Sequence, residues 1–255
     1  MTLNSFPNYI AGTWAASSDT APNINPSDLN DTIGQYAQAS ANQTAQAIEA
    51  AAIAFPKWRA TSPLVRFEAL DRIGSEILAR VDELGDMLAR EEGKTLSEAK
   101  AEAHRAGHLF KYFAAETYRT TGDIYQSLRD GVSLKVLREP IGVVGVITPW
   151  NFPLAIPAWK IAPALAYGNT VVFKPAELVP GSAWMLSDII ARAGLPEGVF
   201  NLVMGKGGEV GEAIVTHPKV SGVTFTGSTP VGRKIGAALF AAVSRDCNCL
   251  SSWID

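Results

Sequence analysis

Four short stretches of this chain carry residue types whose spacing suits chemistry on a small molecule. In the first, an apolar run at 170–173 delivers Lys174, Pro175, Ala176 and Glu177. A lysine and a carboxylate just past a buried strand can serve a nucleotide. The ammonium donates to ribose or phosphate oxygens, and the carboxylate accepts from ribose hydroxyls. Taken by itself, the same pair fits a solvated loop better. In the second, an apolar run at 220–225 leads into Thr226, Gly227, Ser228, Thr229, Pro230, Val231 and Gly232. Gly227 would let a backbone approach closely, and Ser228 and Thr229 would open a helix whose free N–H groups attract phosphate. An N-cap beside a tight turn reads the same way. The third, 205–211, holds Gly205, Gly207, Gly208 and Gly211, but Val210 breaks the dinucleotide fingerprint G-x-G-x-x-G. In the fourth, the run 141–147 ends at Thr148, Pro149, Trp150, Asn151, Phe152 and Pro153. Two prolines bracket Asn151 in a stiff turn, where a held amide can donate to an oxyanion; an Asx turn capping the next helix is the alternative.

Other candidates carry less. His104 and His108 are four apart on a helical stretch, a spacing that suits a metal, but no third ligand and no HExxH pattern accompany them. They read as surface or interface histidines. His217, before Pro218, reads as a helix-end cap. Cys247 and Cys249 are the two cysteines, one residue apart, too few for a disulfide framework or a C-x-C metal site. No metal is expected.

The elements that must position these residues follow from periodicity. Residues 8–10 and 13–14 form a hairpin around Ala11 and Gly12, and 23–31 is loop by composition. Ala45, Ile48, Ala52 and Phe55 recur at helical spacing. Ser62 and Pro63 start a second helix with Phe67, Leu70, Ile73 and Ile77 on its apolar face. A helix around Leu84, Met87 and Leu88 stops at Gly93. Thr95 and Glu98 form a capping box for a helix reaching about Tyr118. Val132, Leu134 and Val136 alternate with polar neighbours, a strand wet on one face that pairs with 123–127 as a hairpin. From 141 onward, near-continuous apolar runs (141–147, 170–173, 199–203, 220–225) alternate with helical stretches (154–167, 182–193, 208–216, 229–241). That pattern predicts an α/β doubly wound domain with a parallel sheet covered on both faces.

Composition narrows the function classes. The 255 residues are 47% hydrophobic and 18% charged with a net charge of −3, an ordinary globular balance with no basic patch for nucleic acid. No secretory signal and no apolar run of membrane-spanning length is readable, so no membrane partner and a cytoplasmic location are expected.

The order of the motifs says more than any one of them. TPWNFP, KPAE, GLPEGVFNLVMG and FTGSTPVG, in that sequence, resemble the aldehyde dehydrogenase superfamily from about Tyr9 to about Ala238. The opening NYIAGTW and NPSDLND look most like members acting on the semialdehyde 2,5-dioxopentanoate. The resemblance implies a Rossmann-type parallel sheet with N-terminal helices (1–121), an oligomerisation β-hairpin arm (122–140), an NAD(P)-binding core (141–240) and an atypical tail (241–255). It implies that Asn151 stabilises the oxyanion, that Lys174 and Glu177 hold the adenosine ribose, and that Ser228, within Gly227 to Gly232, contacts the pyrophosphate. Trp150 would lie along the coenzyme cleft with Thr148 and Pro149, Gly207 and Gly211 would border the coenzyme, and Phe152 would line the substrate entrance. The implied partners are NAD or NADP and a small aldehyde, with homo-oligomers in the family.

The chain departs from that pattern at its end. The family oxidises aldehydes through a cysteine thiolate and a general-base glutamate in a Glu-Leu/Met-Gly-Gly segment, and neither motif occurs here. The expectation is a coenzyme-binding half whose C-terminal catalytic domain is missing, inactive by itself; a subunit-interacting, non-enzymatic module is the alternative. The roles of nucleophile and base are not carried onto Cys247 or Cys249.

Overall fold

The structure, a computed structural model, describes residues 5–119 and 122–246, with side chains up to 241. It opens with short strands β1 (Ser5–Phe6), β2 (Asn8–Ile10), β3 (Thr13–Ala15), β4 (Asp19–Ile24) and β5 (Thr32–Gln38). Four helices follow: α1 (Ala41–Arg59), α2 (Pro63–Ala79), α3 (Val81–Glu92) and α4 (Leu96–Glu116). An exposed hairpin, β6 (Asp123–Gln126) and β7 (Ser133–Val136), leads into alternating strands and helices. These are β8 (Val143–Ile147), α5 (Ala155–Ala166), β9 (Thr170–Lys174), α6 (Pro180–Arg192), β10 (Phe200–Leu202), α7 (Glu212–Thr216), β11 (Val220–Phe225) and α8 (Thr229–Asp246).

Local signals set the helix limits. Ser40 caps α1 with a reciprocal bond to Gln43, Ser62 caps α2 just before Pro63, and Thr95 caps α4 with Glu98. Each satisfies amide donors that the first turn leaves without partners. α3 ends at Gly93, whose φ of 83° is the left-handed conformation that glycine adopts without a Cβ penalty.

The central sheet has the order β11-β8-β9-β10-β2-β3, and its first four strands run parallel. Val171 and Phe173 of β9 face a large core with Val144, Val146, Phe110, Ile161, Leu165 and Ile189. Val172, between them, faces a smaller core with Val143, Ile48, Ala51, Val210 and Ile214. Helices α5 and α6 cover the first face, α1 and α7 the second. This two-sided burial is why the strands read as continuous apolar runs. Such a sheet is the doubly wound α/β arrangement expected from the alternation.

Five local expectations change. The N-terminal hairpin joins the central sheet, with Tyr9 of β2 opposite Leu202 of β10 in antiparallel register. Residues 23 and 24 belong to β4 rather than to a loop, because they pair with Gly34 and Thr32 of β5. The buried stripe of α1 is Thr44, Ala47, Ile48, Ala51 and Trp58 rather than 45, 48, 52 and 55. Small residues there let the helix approach the sheet, while Phe55 turns outward under Arg59. The β6–β7 hairpin is exposed on both faces, not on one, because it projects from the domain. Helix α8 runs to Asp246, beyond the expected 241; Cys247 and Cys249 lie outside the described residues.

Candidate functional site

The parallel strands end together. Thr148 N–H donates to the Lys174 carbonyl at 3.2 Å, and Thr226 N–H donates to the Ile147 carbonyl at 3.1 Å. Three chemistry-bearing loops therefore leave the sheet at one level, beyond the carboxyl ends where doubly wound folds bind ligands. The chain reverses direction across the sheet between β8 and β11, and a cavity of about 530 Å³ lies there. Lys174, Glu177, Gly207 and Gly211 border it on one side, Val231, Lys234 and Ile235 of α8 on the other.

Lys174 is the last residue of β9 and is only 4% exposed. Its Nζ donates to the Pro175 carbonyl at 2.9 Å, which leaves ammonium donors free. Burial holds its pKa below the usual lysine value, with the Glu177 charge acting in the opposite sense. Glu177 is exposed, and its Oε1 accepts from the Gly207 N–H at 2.6 Å. That bond ties the loop after β9 to the turn after β10. The glycine-rich segment forms a π-helical turn, Gly207–Gly211, before α7, so it is neither a fingerprint loop nor a regular helix start. A cation with free donors and a fixed carboxylate at the mouth of a cavity this size fits a nucleotide.

The other expected site residues lie elsewhere. Gly227 does not open room for a ligand: a Cβ there would meet the Phe225 ring at 2.5 Å, so its missing side chain houses that ring. Gly232 also faces the Phe225 ring. Ser228 is exposed, and its carbonyl accepts from the Gly232 N–H at 3.0 Å in the first turn of α8. Thr148 is buried, and its Oγ1 has no partner among the described residues. Pro149 is half-buried, and Trp150 and Asn151 are exposed in the turn after β8. None of these borders the large cavity. Phe152 lines a second, smaller cavity next to it.

Two residues that the sequence reading passed over hold that turn in place. Glu102 of α4, 4% exposed, accepts from the Leu154 and Ala155 N–H groups at 2.8 and 3.1 Å, the free donors at the start of α5. Lys94 Nζ bonds Glu102 at 2.6 Å, donates to the Asn151 carbonyl at 3.2 Å and sits 4.5 Å from the Phe152 ring centre. The visible signal was a charged residue on the alanine-rich face of α4, where Ala99, Ala103 and Ala106 are buried. Lys160, half-buried on α5, donates to Thr224 Oγ1 at 2.9 Å, and desolvation lowers its pKa. The histidines are on the surface, with His104 and His108 Nε2 atoms 3.3 Å apart. His217 ends α7, its Nδ1 accepting from the Lys219 N–H at 3.2 Å. No group of three or more metal-ligating side chains occurs among the described residues, and no helix among them is long and apolar enough to cross a membrane.

The model of the aldehyde dehydrogenase family matches residues 14–247. Alpha-ketoglutaric semialdehyde dehydrogenase of Bacillus subtilis (strain 168) is 42% identical over 240 residues, covering 93% of this chain and 49% of the relative. 2,5-Dioxopentanoate dehydrogenase of Saccharolobus solfataricus is 39% identical, covering 89% and 48%. Betaine aldehyde dehydrogenase of Staphylococcus aureus, solved in complex with NAD+, superposes with a TM-score of 0.90 at 32% identity, covering 95% of this chain and 48% of that one. The chain spans about half the length of the curated relatives it matches.

Proposed function

Since the chain belongs to the aldehyde dehydrogenase family, we propose that its residues form the coenzyme-holding half of an NAD(P)-dependent oxidation of a semialdehyde to the carboxylic acid. The observation that carries this reading is the Glu177–Gly207 bond beside Lys174 at the mouth of the 530 Å³ cavity. Free donors on Lys174 meet ribose oxygens, and Glu177 accepts from ribose hydroxyls. The start of α8, with Gly227 and Ser228, offers N–H groups to the diphosphate, and the Gly232 N–H closes that turn on the Ser228 carbonyl. Gly207 and Gly211 border the coenzyme on the same side as Lys174 and Glu177, and Thr148, Pro149 and Trp150, outside that cavity, lie toward the nicotinamide end. The coenzyme, when bound, supplies the hydride acceptor. Asn151 donates its side-chain amide to the carbonyl oxygen as charge develops there, and Phe152 lines the approach of the substrate. The Glu177 carboxylate repels a 2′-phosphate, so NAD is preferred over NADP. Similarity to relatives named for alpha-ketoglutaric semialdehyde and 2,5-dioxopentanoate supports a semialdehyde as the substrate.

The family's base segment and cysteine motif are not among the 255 residues. The chain by itself is therefore expected to bind coenzyme and to produce no NADH from aldehyde. Calorimetric titration with NAD+ and NADP+, and absorbance at the NADH band with added semialdehyde, test both parts. Glu177→Ala should weaken NAD+ at least tenfold and narrow the preference against NADP+. Absence of NAD+ binding at millimolar concentration by the folded chain would overturn the reading. Aldehyde-dependent NADH formation would overturn the inactive half of it.

A further inference from the structure

Helix α4 carries two of the chain's three histidines, and both are exposed. Glu102, Ala103, Ala106, Leu109 and Phe110 form its buried side. His104 and His108 lie on the other side, and residues four apart on a helix sit one above the other. Their ring centres are 4.4 Å apart, yet their Nε2 atoms are only 3.3 Å apart. The two rings therefore converge at their Nε2 ends, which point at a common spot. As a hydrogen bond between the rings, that separation is long.

It suits a shared metal ion better. Zinc bonds an imidazole nitrogen at about 2.0–2.1 Å, so two bonds to atoms 3.3 Å apart enclose about 104–111° at the ion, which is the tetrahedral arrangement. The helix holds both rings in place, so the first bond brings the second nitrogen within reach at high effective concentration. The lysines that flank the pair on α4 are neutralised: Lys100 pairs with Asp82 and Lys111 with Asp71, each at 2.7 Å. Among the described residues no third metal-ligating side chain joins the pair, so water completes the coordination of the ion. His217 has no histidine beside it, and its Nδ1 accepts from the Lys219 N–H.

We propose that His104 and His108 form a surface site on α4 for a divalent first-row transition metal ion such as Zn2+ or Cu2+, for which imidazole is a suitable ligand. The site spans Gly107, a weak point of the helix. A Cβ there would meet Leu78 of α2 at 2.7 Å, so glycine is required for α2 and α4 to pack. Glycine inside a helix also lowers its stability. A metal ion bonded to both rings ties 104 to 108 across that glycine and stabilises the turn. The proposal is independent of coenzyme binding.

The test is calorimetric titration of the full chain with ZnCl2 and with CuCl2, in parallel on a Cys247→Ser/Cys249→Ser form that removes the two thiols. In that form Cu2+ should bind more tightly than Zn2+. His104→Ala and His108→Ala, added singly, should each weaken both ions at least tenfold, whereas His217→Ala should change nothing. Both histidines are exposed, so their variants should keep the wild-type circular dichroism. The electron paramagnetic resonance spectrum of bound Cu2+ should show coupling to two imidazole nitrogens, reduced to one in either variant. Zn2+ should also slow amide hydrogen exchange around Gly107, and only while both histidines are present. Loss of all metal binding in the Cys247→Ser/Cys249→Ser form would assign the ion to the thiols and overturn the proposal. Undiminished affinity in His104→Ala or His108→Ala would overturn it as well.

Discussion

Glu91 shows what a single buried carboxylate does in this fold. It lies on α3, 3% exposed, where α6 begins. Its Oε1 accepts from the Ser182 N–H at 2.7 Å, and its Oε2 accepts from the Gly181 N–H and from Asn23 Nδ2, both at 2.8 Å. The charge thus sits at the positive end of a helix and joins α3, α6 and β4. Burial nevertheless pushes its pKa up to about 7, and the hydrogen bonds pull only part of the way back. Between the ordinary glutamate value and about 7, the folded chain binds more protons than the unfolded one. Stability should therefore be fullest in mild acid and fall as pH rises through 7. The loss should be roughly 3 kcal/mol, because each tenfold change in proton affinity is worth ~1.4 kcal/mol. Glu91→Gln should lose this slope and be less stable throughout, by about 1–3 kcal/mol, since an amide N–H would face backbone donors. Urea unfolding at pH 5 and pH 8 checks it. A wild-type slope no steeper than the variant's would refute the assignment.

At the scale of elements, the Lys94–Glu102 pair is what makes the turn after β8 a defined object. Trp150, Asn151 and Phe152 are exposed, so packing does not fix them. The bonds from Glu102 to the start of α5, and from Lys94 to the Asn151 carbonyl, do. Glu102→Ala would leave two amides without their partner and take from Lys94 one of its two carboxylates, Glu92 remaining at 2.8 Å. The expected cost is about 1–3 kcal/mol in stability. Faster amide hydrogen exchange at 154 and 155 should accompany it, with NAD+ affinity retained because Lys174 and Glu177 are untouched. Unchanged exchange at those amides would show that the pair does not position the turn. This pair also marks where the sequence stops being legible. Strands β8 to β11 and the caps at Ser62, Gly93 and Thr95 could be read because each is a local pattern. Lys174 and Glu177 could be placed near a strand end for the same reason. The bonds from Glu102 join α4 to the start of α5, and the space beside Gly227 is filled by Phe225. Each depends on tertiary packing that no periodicity encodes.

For the whole molecule, the open question is what covers its exposed apolar surface. Strand β11 is the edge of the central sheet, only partly buried, and among the described residues no strand pairs with its outer side. The β6–β7 hairpin stands apart with Tyr125 opposite Leu134 and Asp123 opposite Val136, so one face is largely apolar. Tyr125, Leu134 and Val136 are 52%, 49% and 44% exposed, too much apolar surface for a two-stranded ribbon that receives little support from the domain. Edges and faces of this kind associate with other chains. The hairpin is therefore expected to hold this chain to a second copy, or to a longer member of the family. Leu134→Glu places a charge in the middle of that face without touching the sheet core. In light scattering after size exclusion it should lower the mass relative to wild type and leave the melting temperature of the domain nearly unchanged. Mixing the wild type with an intact aldehyde dehydrogenase should give a mixed species by native mass spectrometry, and the same mixture with Leu134→Glu should not. A wild type that is monomeric at high concentration and forms no mixed species would mean the hairpin has no protein partner, and its apolar face would then need another explanation.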